Sequence, residues 1–184
     1  KKLQREEKGD KMTIEQIERI FPGATSDTWH QHPNGSGWVE NTAHVSGDAR
    51  VCENALVSGN AQVSGHAQVF GNARVSGHAR VFGDAVLFGG ARVCENAHVD
   101  EDAHVCEDAL VCENAVVSGN ALVSGNARVS GHAWVSGDAV VSGNAQVSGD
   151  ARVFGDARVF GDSLVSGNAL VSGDARVSGD SIAS

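Results

Sequence analysis

The sequence contains no tyrosine, one methionine, two prolines and few aromatic residues of any kind (5%). The mixed apolar core of a conventional globular domain uses more of these residue types, so the composition disfavours such a core. No apolar run approaches the roughly 20 residues of a membrane-spanning helix, and no secretion signal is recognisable. Basic residues are also scarce, because 14 Lys and Arg face 23 Asp and Glu for a formal net charge of −9. We therefore predict neither membrane insertion nor direct binding of nucleic acid.

What the sequence does have is a six-residue repeat that starts at Val39. Of the 25 positions that recur every six residues from 39 to 183, Val occupies 23, and Leu87 and Ala183 occupy the other two. Each Val is followed four residues later by a small residue, either Ala or Ser. No insertion breaks the register, and a short period of this regularity is typical of a solenoid.

Each unit predicts a short strand and a corner. In Ala-x-Val-x the side chains alternate, so that Ala and Val point inward and the x residues outward. The two remaining residues turn the chain: the first is Gly in 18 of 24 units and otherwise mostly Glu, and the second is Asn, Asp or His in 22. Because Gly, Asn, Asp and His best tolerate a positive φ, we predict the left-handed conformation at the second corner position.

Three units close a triangular coil of 18 residues, and successive coils pair as parallel strands roughly 4.8 Å apart. Residues 39–183 predict about eight such coils, a rod on the order of 40 Å long. One buried Val contributes only about 1.5 kcal/mol, so a single coil is unstable and stacking must stabilise the fold.

The repeat units resemble those of the bacterial hexapeptide-repeat superfamily, whose pattern is [LIV]-x-x-x-[STAV]-x. The resemblance covers about four fifths of the chain and implies an all-β solenoid, a left-handed parallel β-helix. The left-handed winding is implied by the resemblance alone. Members of this superfamily include acyltransferases, γ-type carbonic anhydrases and rods without known chemistry.

A short helical cap is predicted before the repeat. The segment Thr13-Ile-Glu-Gln fits a helix capping box and Pro22-Gly23 a stop, so we predict a helix over residues 13–21. Residues 24–38 are predicted to be a turn-rich linker. We expect the cap residues to plug the open edge of the first coil; they are Ile17, Phe21 and Trp29.

The chain is thus predicted to divide into an N-terminal tail, helix and cap (residues 1–38) and a hexapeptide-repeat β-helix (residues 39–184). The repeat runs to Ser184, which would leave the strand edges of the last coil unpaired. We expect a second copy, a partner or further chain to cover those edges, because exposed strand edges associate readily.

One outward face of the predicted prism, which we call face A, is unusually apolar. Its two columns carry an apolar stripe that we predict to be an oligomer interface; the residues are Phe70, Val86, Phe88, Cys106, Leu122 and Val140. Contiguous exposed apolar patches mark interfaces more often than isolated apolar residues do. We therefore predict a homo-oligomer, a dimer or trimer formed side by side or end to end.

Acidic residues gather at the corners around the fifth coil. This acidic belt is a candidate binding surface for a basic protein partner, and it consists of Glu95, Asp100, Glu101, Asp102, Glu107, Asp108 and Glu113. The alternative is that these carboxylates only keep a repetitive rod soluble.

The sequence gives little support for catalysis. The γ-type carbonic anhydrases need three convergent His ligands with an H-x4-H pair, and no such pair occurs among the eight His residues. Hexapeptide acyltransferases use a His beside a protruding loop, and no loop interrupts this register. His44, His98 or His104 remains a candidate general base across a subunit seam.

Neither a metal site nor a cofactor site is predicted. His30-x-His32 near His44 is a weak metal candidate, as is Cys94 with Cys112 and His98. Cys94 and Cys112 stack one coil apart, but parallel Cβ directions would strain a disulfide. Four free surface thiols fit a reducing compartment, so we predict a cytoplasmic location.

Taken as a whole, the sequence favours a non-enzymatic rigid rod that self-assembles or docks a protein partner. One alternative is an acyltransferase-like enzyme of the hexapeptide-repeat type. The other is an acidic decoy that inhibits a nucleic-acid-handling protein. Coenzyme A binding would distinguish the first alternative, and salt-sensitive binding to a basic partner the second.

Overall fold

The computed structural model describes residues 12–184, which form a parallel β-solenoid with three flat walls and one short helix. The predicted fold class is confirmed: about eight coils of 18 residues wind around a single apolar core. Residues 1–11, most of the predicted N-terminal tail, lie outside the described residues.

The described elements are one helix and 26 strands. They are α1 (Ile14–Ile20), β1 (Trp29–Gln31), β2 (Trp38–Glu40), β3 (His44–Val45), β4 (Arg50–Val51), β5 (Leu56–Val57), β6 (Gln62–Val63), β7 (Gln68–Val69), β8 (Arg74–Val75), β9 (Arg80–Val81), β10 (Val86–Leu87), β11 (Arg92–Val93), β12 (His98–Val99), β13 (His104–Val105), β14 (Leu110–Val111), β15 (Val116–Val117), β16 (Leu122–Val123), β17 (Arg128–Val129), β18 (Trp134–Val135), β19 (Val140–Val141), β20 (Gln146–Val147), β21 (Arg152–Val153), β22 (Arg158–Val159), β23 (Leu164–Val165), β24 (Leu170–Val171), β25 (Arg176–Val177) and β26 (Ile182–Ala183).

Every third strand belongs to the same wall. Sheet A, which bears face A, contains eight strands from β4 to β25, and sheet C contains eight from β3 to β24. Sheet B contains ten, from β1 and β2 to β26. Within each wall the strands pair in parallel with partners 18 residues apart, as in Leu87 opposite Val105. Two-residue strands replace the predicted four-residue strands, so the flat part of each side is shorter than expected.

The core is a column of the inward Val and Ala residues, and nearly all of them are fully buried. Ser163 takes one of the Ala positions and is also fully buried. Its hydroxyl donates to the Phe160 carbonyl oxygen at 2.9 Å, which satisfies the one polar group that this substitution adds. Because Val and Ala fill the interior without a gap in the repeat, the coils stack with a constant register.

The corners differ from the prediction. The positive φ lies at the first corner position, which is Gly in most units (as in Gly131, φ 71°) and Glu in five (as in Glu101, φ 56°). No Asn, Asp or His among residues 12–184 has a positive φ. Glycine lacks the Cβ that makes this conformation costly, so its dominance at the first position has a direct physical reason.

The second corner residues are selected by contacts between coils. Asn120 Nδ2 donates to Asp138 Oδ1 at 2.9 Å, and Asn144 Nδ2 donates to Asp162 Oδ1 at 2.8 Å, in each case one coil further on. Such side-chain ladders recur wherever identical strands stack in register. Asn and Asp therefore occupy this position because their side chains form hydrogen bonds to the next coil, and not because they tolerate a positive φ.

Helix α1 begins as the sequence predicts and is slightly shorter. Gln16 Oε1 accepts a hydrogen bond from the Thr13 backbone N–H at 2.8 Å, one half of the capping box. The Thr13 hydroxyl donates instead to Glu15, and this bond holds the pKa of the Glu15 carboxyl below its ordinary value. The side chains of Gln16 and Glu15 therefore both accept a hydrogen bond from Thr13 at the start of the helix.

The cap is placed differently from the prediction. Ile17 and Trp29 are buried and Phe21 packs on Trp29, with 5.0 Å between ring centroids. Their buried partner is Leu56, an outward residue of β5, so the cluster lies on the outer face of sheet B and is separate from the core. The cap residues therefore cover a wall of the first coils instead of plugging the open end.

The predicted linker also contains a strand. β1 pairs antiparallel with β2 and extends sheet B by one strand at its N-terminal edge. The chain between β1 and β2 reaches the edge of sheet A, where the Gly37 N–H donates to the Val51 carbonyl oxygen at 2.7 Å. Asn34 Nδ2 donates to the Ala49 carbonyl oxygen at 3.2 Å. These bonds satisfy backbone acceptors that would otherwise be left open.

No helix within residues 12–184 combines the length and the apolar character that a bilayer crossing requires.

Candidate interaction surfaces

Face A lies on sheet A, where strand register brings the predicted stripe residues together. Val86 pairs with His104, His104 with Leu122, and Leu122 with Val140, so these side chains follow one another up the wall. In the neighbouring column the rings of Phe70 and Phe88 stack, with centroids 5.4 Å apart and planes 7° from parallel.

Exposure varies along the stripe. Phe70, Val86, Phe88, Leu122 and Val140 are half-buried, because each is shielded by its neighbours in the ladder. Cys106 is only 6% exposed, so it adds to the floor of the stripe rather than to its accessible surface. Phe160, three coils beyond Cys106 in the same column, is 37% exposed. His104 interrupts the stripe in one column, and the other column continues from Cys106 to Ser124 and Ser142.

Positive and negative side chains are distributed unevenly around face A. Its cations lie near the ends of the wall, at Arg50, Arg158 and Arg176, and all three are exposed. One bordering corner carries an acidic ridge, defined as Asp48, Asp84, Asp102, Asp138, Asp156 and Asp174. Within residues 12–184 the ridge takes part in one ion pair, between His66 Nδ1 and Asp48 Oδ2 at 3.6 Å, and both side chains are largely exposed.

The acidic belt encircles the rod instead of forming one patch. Glu95 and Glu113 lie between sheets B and C, Glu101 and Asp102 between sheets C and A, and Glu107 and Asp108 between sheets A and B. Asp100 is not at a corner and lies on the outer face of sheet C. A single flat partner would therefore contact only part of the belt.

Three belt carboxylates have structural partners. The backbone N–H groups of Gly119, Gly125 and Gly131 donate to Glu101, Glu107 and Glu113 at 2.5, 2.6 and 2.5 Å. Each bond joins corners one coil apart. These glutamates stabilise the corner ladder while they add to the negative surface.

The outer face of sheet C carries Asp100 of the acidic belt and, two coils further on, Trp134. One carboxylate oxygen of Asp100 is buried without a hydrogen-bond partner. Burial, with the nearby Glu101 charge, raises the pKa of Asp100, and His98 opposes this effect. Further along the same wall, Trp134 Nε1 donates to Ser118 Oγ at 3.3 Å and Arg152 lies 6.0 Å from the Trp134 ring centroid.

The histidines are dispersed. His98 lies on sheet C and His104 on sheet A, as their spacing predicts, and His104 Nδ1 is 2.8 Å from the Asp102 carbonyl oxygen. His30 Nδ1 pairs with Asn41 Oδ1 at 2.8 Å. Residues 12–184 contain no group of three or more His, Cys, Asp or Glu residues arranged to hold a metal ion. The structure thus brings none of the proposed general bases to a common centre.

The thiols are less accessible than expected. Cys52, Cys94 and Cys112 are half-buried and Cys106 is buried, and none is in a disulfide. Burial is the main cause that raises the pKa of Cys94, Cys106 and Cys112, and the Cys112 value reaches about 11. A high pKa disfavours the reactive thiolate, so we expect Cys94, Cys106 and Cys112 to react slowly at neutral pH.

A small groove lies where α1 rests on sheet B. Ile20 and Phe21 form one wall, and the outward columns of β5, β8 and β11 form the floor, including Arg74 and Arg92. Sequence reasoning missed this groove because it arises from the helix lying on a solenoid wall. The one signal in the sequence is the outward apolar Leu56, which the helix buries.

A family model matches the repeat region of the chain. The family model described as YdcK Beta solenoid repeat matches residues 49–65, 67–77, 73–89, 115–131, 121–137, 127–143, 133–149, 145–161, 151–167 and 163–179, more than half of the chain. The structure of LpxA from Acinetobacter baumannii is similar with a TM-score of 0.48 and 11% identity, over 77% of this chain and 71% of that one. No curated protein matches the chain in sequence.

Proposed function

Because the chain belongs to the YdcK β-solenoid repeat family, we propose that it acts as a rigid, non-enzymatic rod that self-associates side by side through face A. The observation that carries this proposal is the apolar stripe on one wall, above all the stacked Phe70–Phe88 pair. Sheet walls are flat along their length, so two copies can align many coils at once. Such an extended apolar surface gains more from burial than isolated apolar residues do.

A second copy is the occupant that fits the charges of this face. Most homo-oligomers pair a surface with the same surface of another copy. Face A carries the cations Arg50, Arg158 and Arg176 on the wall, while the acidic ridge borders it. A face-to-face pairing that sets the acidic ridge of one copy against the cations of the other would favour self-association.

The test is the mass of the protein in solution after charge is placed in the stripe. Phe70→Lys with Phe88→Lys is expected to convert the oligomer to monomer in size-exclusion chromatography with light scattering. The matched control is Phe82→Lys with Phe154→Lys, two outward phenylalanines of sheet C that lie four coils apart and are 36% and 38% exposed. This control is expected to keep the wild-type mass. A monomeric wild type, or equal dissociation in both variants, contradicts the proposal.

The acidic belt supports a second, partner-docking role for the same rod. Glu95, Asp102 and Asp108 are exposed, and their charges are not used in the hydrogen bonds that hold Glu101, Glu107 and Glu113. A basic protein partner would bind here with an affinity that falls as salt rises. Asp102→Asn with Asp108→Asn is expected to weaken that binding, and a salt-independent affinity would exclude the belt as the contact surface.

Coenzyme A separates this proposal from an acyltransferase-like function. A rod without a cofactor cleft is expected to show no saturable binding of coenzyme A by calorimetry. Binding that is lost on His98→Ala or His104→Ala would instead favour the enzymatic alternative. We also propose a cytoplasmic location, which the unpaired cysteines support; cell fractionation tests it.

A further inference from the structure

We propose that the groove between α1 and sheet B binds a small oxyanion that carries a short apolar chain, such as a four-carbon carboxylate. The groove combines three kinds of lining: the apolar side chains of Ile20 and Phe21, the guanidinium groups of Arg74 and Arg92, and the hydroxyls of Ser58 and Ser76. This inference is independent of self-association, because face A lies on another wall.

The two arginines form an uncompensated positive centre. Arg74 and Arg92 are register partners on β8 and β11, so their side chains leave the wall one strand spacing apart. Like charges in directly opposed positions destabilise a sheet. Within residues 12–184 neither arginine takes part in an ion pair. A bound anion would relieve this repulsion, and a guanidinium fork matches the geometry of a carboxylate.

Glu40 and Glu95 lie on or beside the same wall, but neither forms an ion pair with Arg74 or Arg92 within the described residues. Glu40 precedes Ser58 in the same outward column, and its carboxylate accepts a hydrogen bond from the Gly59 N–H at 2.7 Å. Glu95 follows Cys94 at the corner, where it is exposed to solvent. No arginine within residues 12–184 forms an ion pair, so what sets Arg74 and Arg92 apart is their place beside the apolar wall of α1.

The apolar wall and the volume restrict the ligand. The groove has a volume of about 150 Å³. Since a water molecule in the liquid takes about 30 Å³, this is room for a ligand of about five or six non-hydrogen atoms. Ile20 and Phe21 are half-buried, and Phe21 is fixed by Trp29. A fully hydrated ion gains nothing from such a wall, whereas a short alkyl chain does.

A second arginine pair shows what the groove adds. Arg158 and Arg176 are register partners on sheet A in the same way; both are exposed, as Arg92 is, and neither lines this groove. Paired arginines alone therefore do not define the site. The distinctive feature at Arg74 and Arg92 is that the charge, the hydroxyls and the apolar wall converge, and Arg158 with Arg176 provides the matched control.

Titration with three small probes, followed by amide chemical shifts, tests the site. Butyrate has both the charge and the chain, phosphate has only charge, and 1-butanol has the chain without charge. Butyrate is expected to bind saturably, to shift residues around Ser58, Ser76 and Cys94, and to bind at least tenfold more tightly than either other probe. Equal binding of butyrate and 1-butanol, or the absence of saturable binding of butyrate, overturns the proposal.

Two sets of variants locate the site. Arg74→Gln with Arg92→Gln is expected to weaken butyrate binding tenfold or more, while Arg158→Gln with Arg176→Gln leaves it unchanged. Ser76→Leu keeps both arginines and fills the groove, so it is expected to abolish binding as well. All these positions face outward, and circular dichroism verifies the fold. An equal loss in both arginine pairs, or wild-type binding by Ser76→Leu, contradicts a built site.

Discussion

The carboxylate of Glu101 accepts a hydrogen bond from the backbone N–H of Gly119, its counterpart one coil further along the rod, at 2.5 Å. Glu101 has a φ of 56°, in a region that costs a residue with a Cβ roughly 1–2 kcal/mol. Among the described hydrogen bonds, the Gly119 N–H has no backbone acceptor. The glutamate therefore offsets its own backbone cost by satisfying a donor in the next coil.

Replacing two corner glutamates by glycine is expected to separate these two effects. Glu95 also has a positive φ (60°), but its counterpart is Glu113 and no described hydrogen bond ends on its carboxylate. Glu95→Gly should raise the free energy of unfolding by about 1 kcal/mol, because only the backbone cost is removed. Glu101→Gly should change it little, since the lost bond offsets that gain. Urea denaturation measures both, and equal stabilisation would show that the bond contributes nothing.

Substitutions at Gly131 test the same type of corner by adding a side chain instead of removing one. Gly131 has a φ of 71°, and a Cβ placed there would lie 2.7 Å from the Gly149 nitrogen. Gly131→Ala is expected to lower the free energy of unfolding by about 2 kcal/mol or more, from the backbone conformation and the close contact together. Gly131→Glu carries the same Cβ but can accept from the Gly149 N–H, so it should cost about 1 kcal/mol less. If alanine is the better tolerated of the two, the proposed role of the carboxylate is wrong.

Two outward leucines of sheet B test the docking of α1. Leu56 is 1% exposed beneath the helix, whereas Leu110, three coils further on, is half-buried and is not in the cluster that α1 covers. Leu56→Ser should lower the free energy of unfolding of the helix and its contacts by about 2 kcal/mol, and Leu110→Ser should have little effect. Protease cleavage within residues 12–31 reports the release of the helix, and equal cleavage in the two variants would argue against this packing.

The pH dependence of stability is expected to include a contribution from Cys112. Burial raises its pKa from an ordinary 9.0 to about 11 in the folded chain, with the adjacent Cys94 as a further cause. Because the folded state holds the proton more tightly, this contribution is fully present below pH 9 and is lost as the pH rises toward 11. Cys112→Ser should therefore reduce the loss of stability in this window. Iodoacetamide labelling should likewise remain slow at Cys112 until the same pH range.

The solenoid can be predicted from the sequence because one six-residue period determines which side chains point inward and which point outward. Every Val at a six-residue interval points inward, so the core, the three walls and the alignment of Val86, Leu122 and Val140 follow from counting. The location of the apolar stripe on one wall depends only on this register. Its role as an interface depends on a second molecule and stays a prediction.

The corner was predicted incorrectly for a physical reason. Asn, Asp and His tolerate a positive φ, but they also form side-chain hydrogen bonds along a ladder, and the second effect explains the second position, as Asn120 and Asp138 show. The abundance of Gly at the first position was the better signal. The five glutamates obscured it, because the bonds that four of them accept from the next coil are visible only in three dimensions.

The cap and the groove depend on tertiary packing that no local pattern encodes. The capping box correctly predicted the start of α1, and Ile17 and Trp29 are buried as apolar cap residues should be. Which surface they cover depends on the path of the chain through β1, a strand within the segment that the sequence predicts to be a turn-rich linker. The groove beside Phe21 follows from that path, so neither its location nor its lining could be predicted.

Because the coils are evenly spaced, the position of a residue in the sequence determines which wall it occupies and how far along the rod it lies. Each wall recurs after 18 residues, as in the pairing of Val86 with His104. Deleting one six-residue unit would leave the interior filled but would move every later side chain to the adjacent wall, splitting Phe70 from Phe88. Loss or gain of a whole turn would preserve every wall and alter only the length. Related proteins can therefore differ in the length of the rod, but their surface features stay aligned only when repeat units are gained or lost in multiples of three.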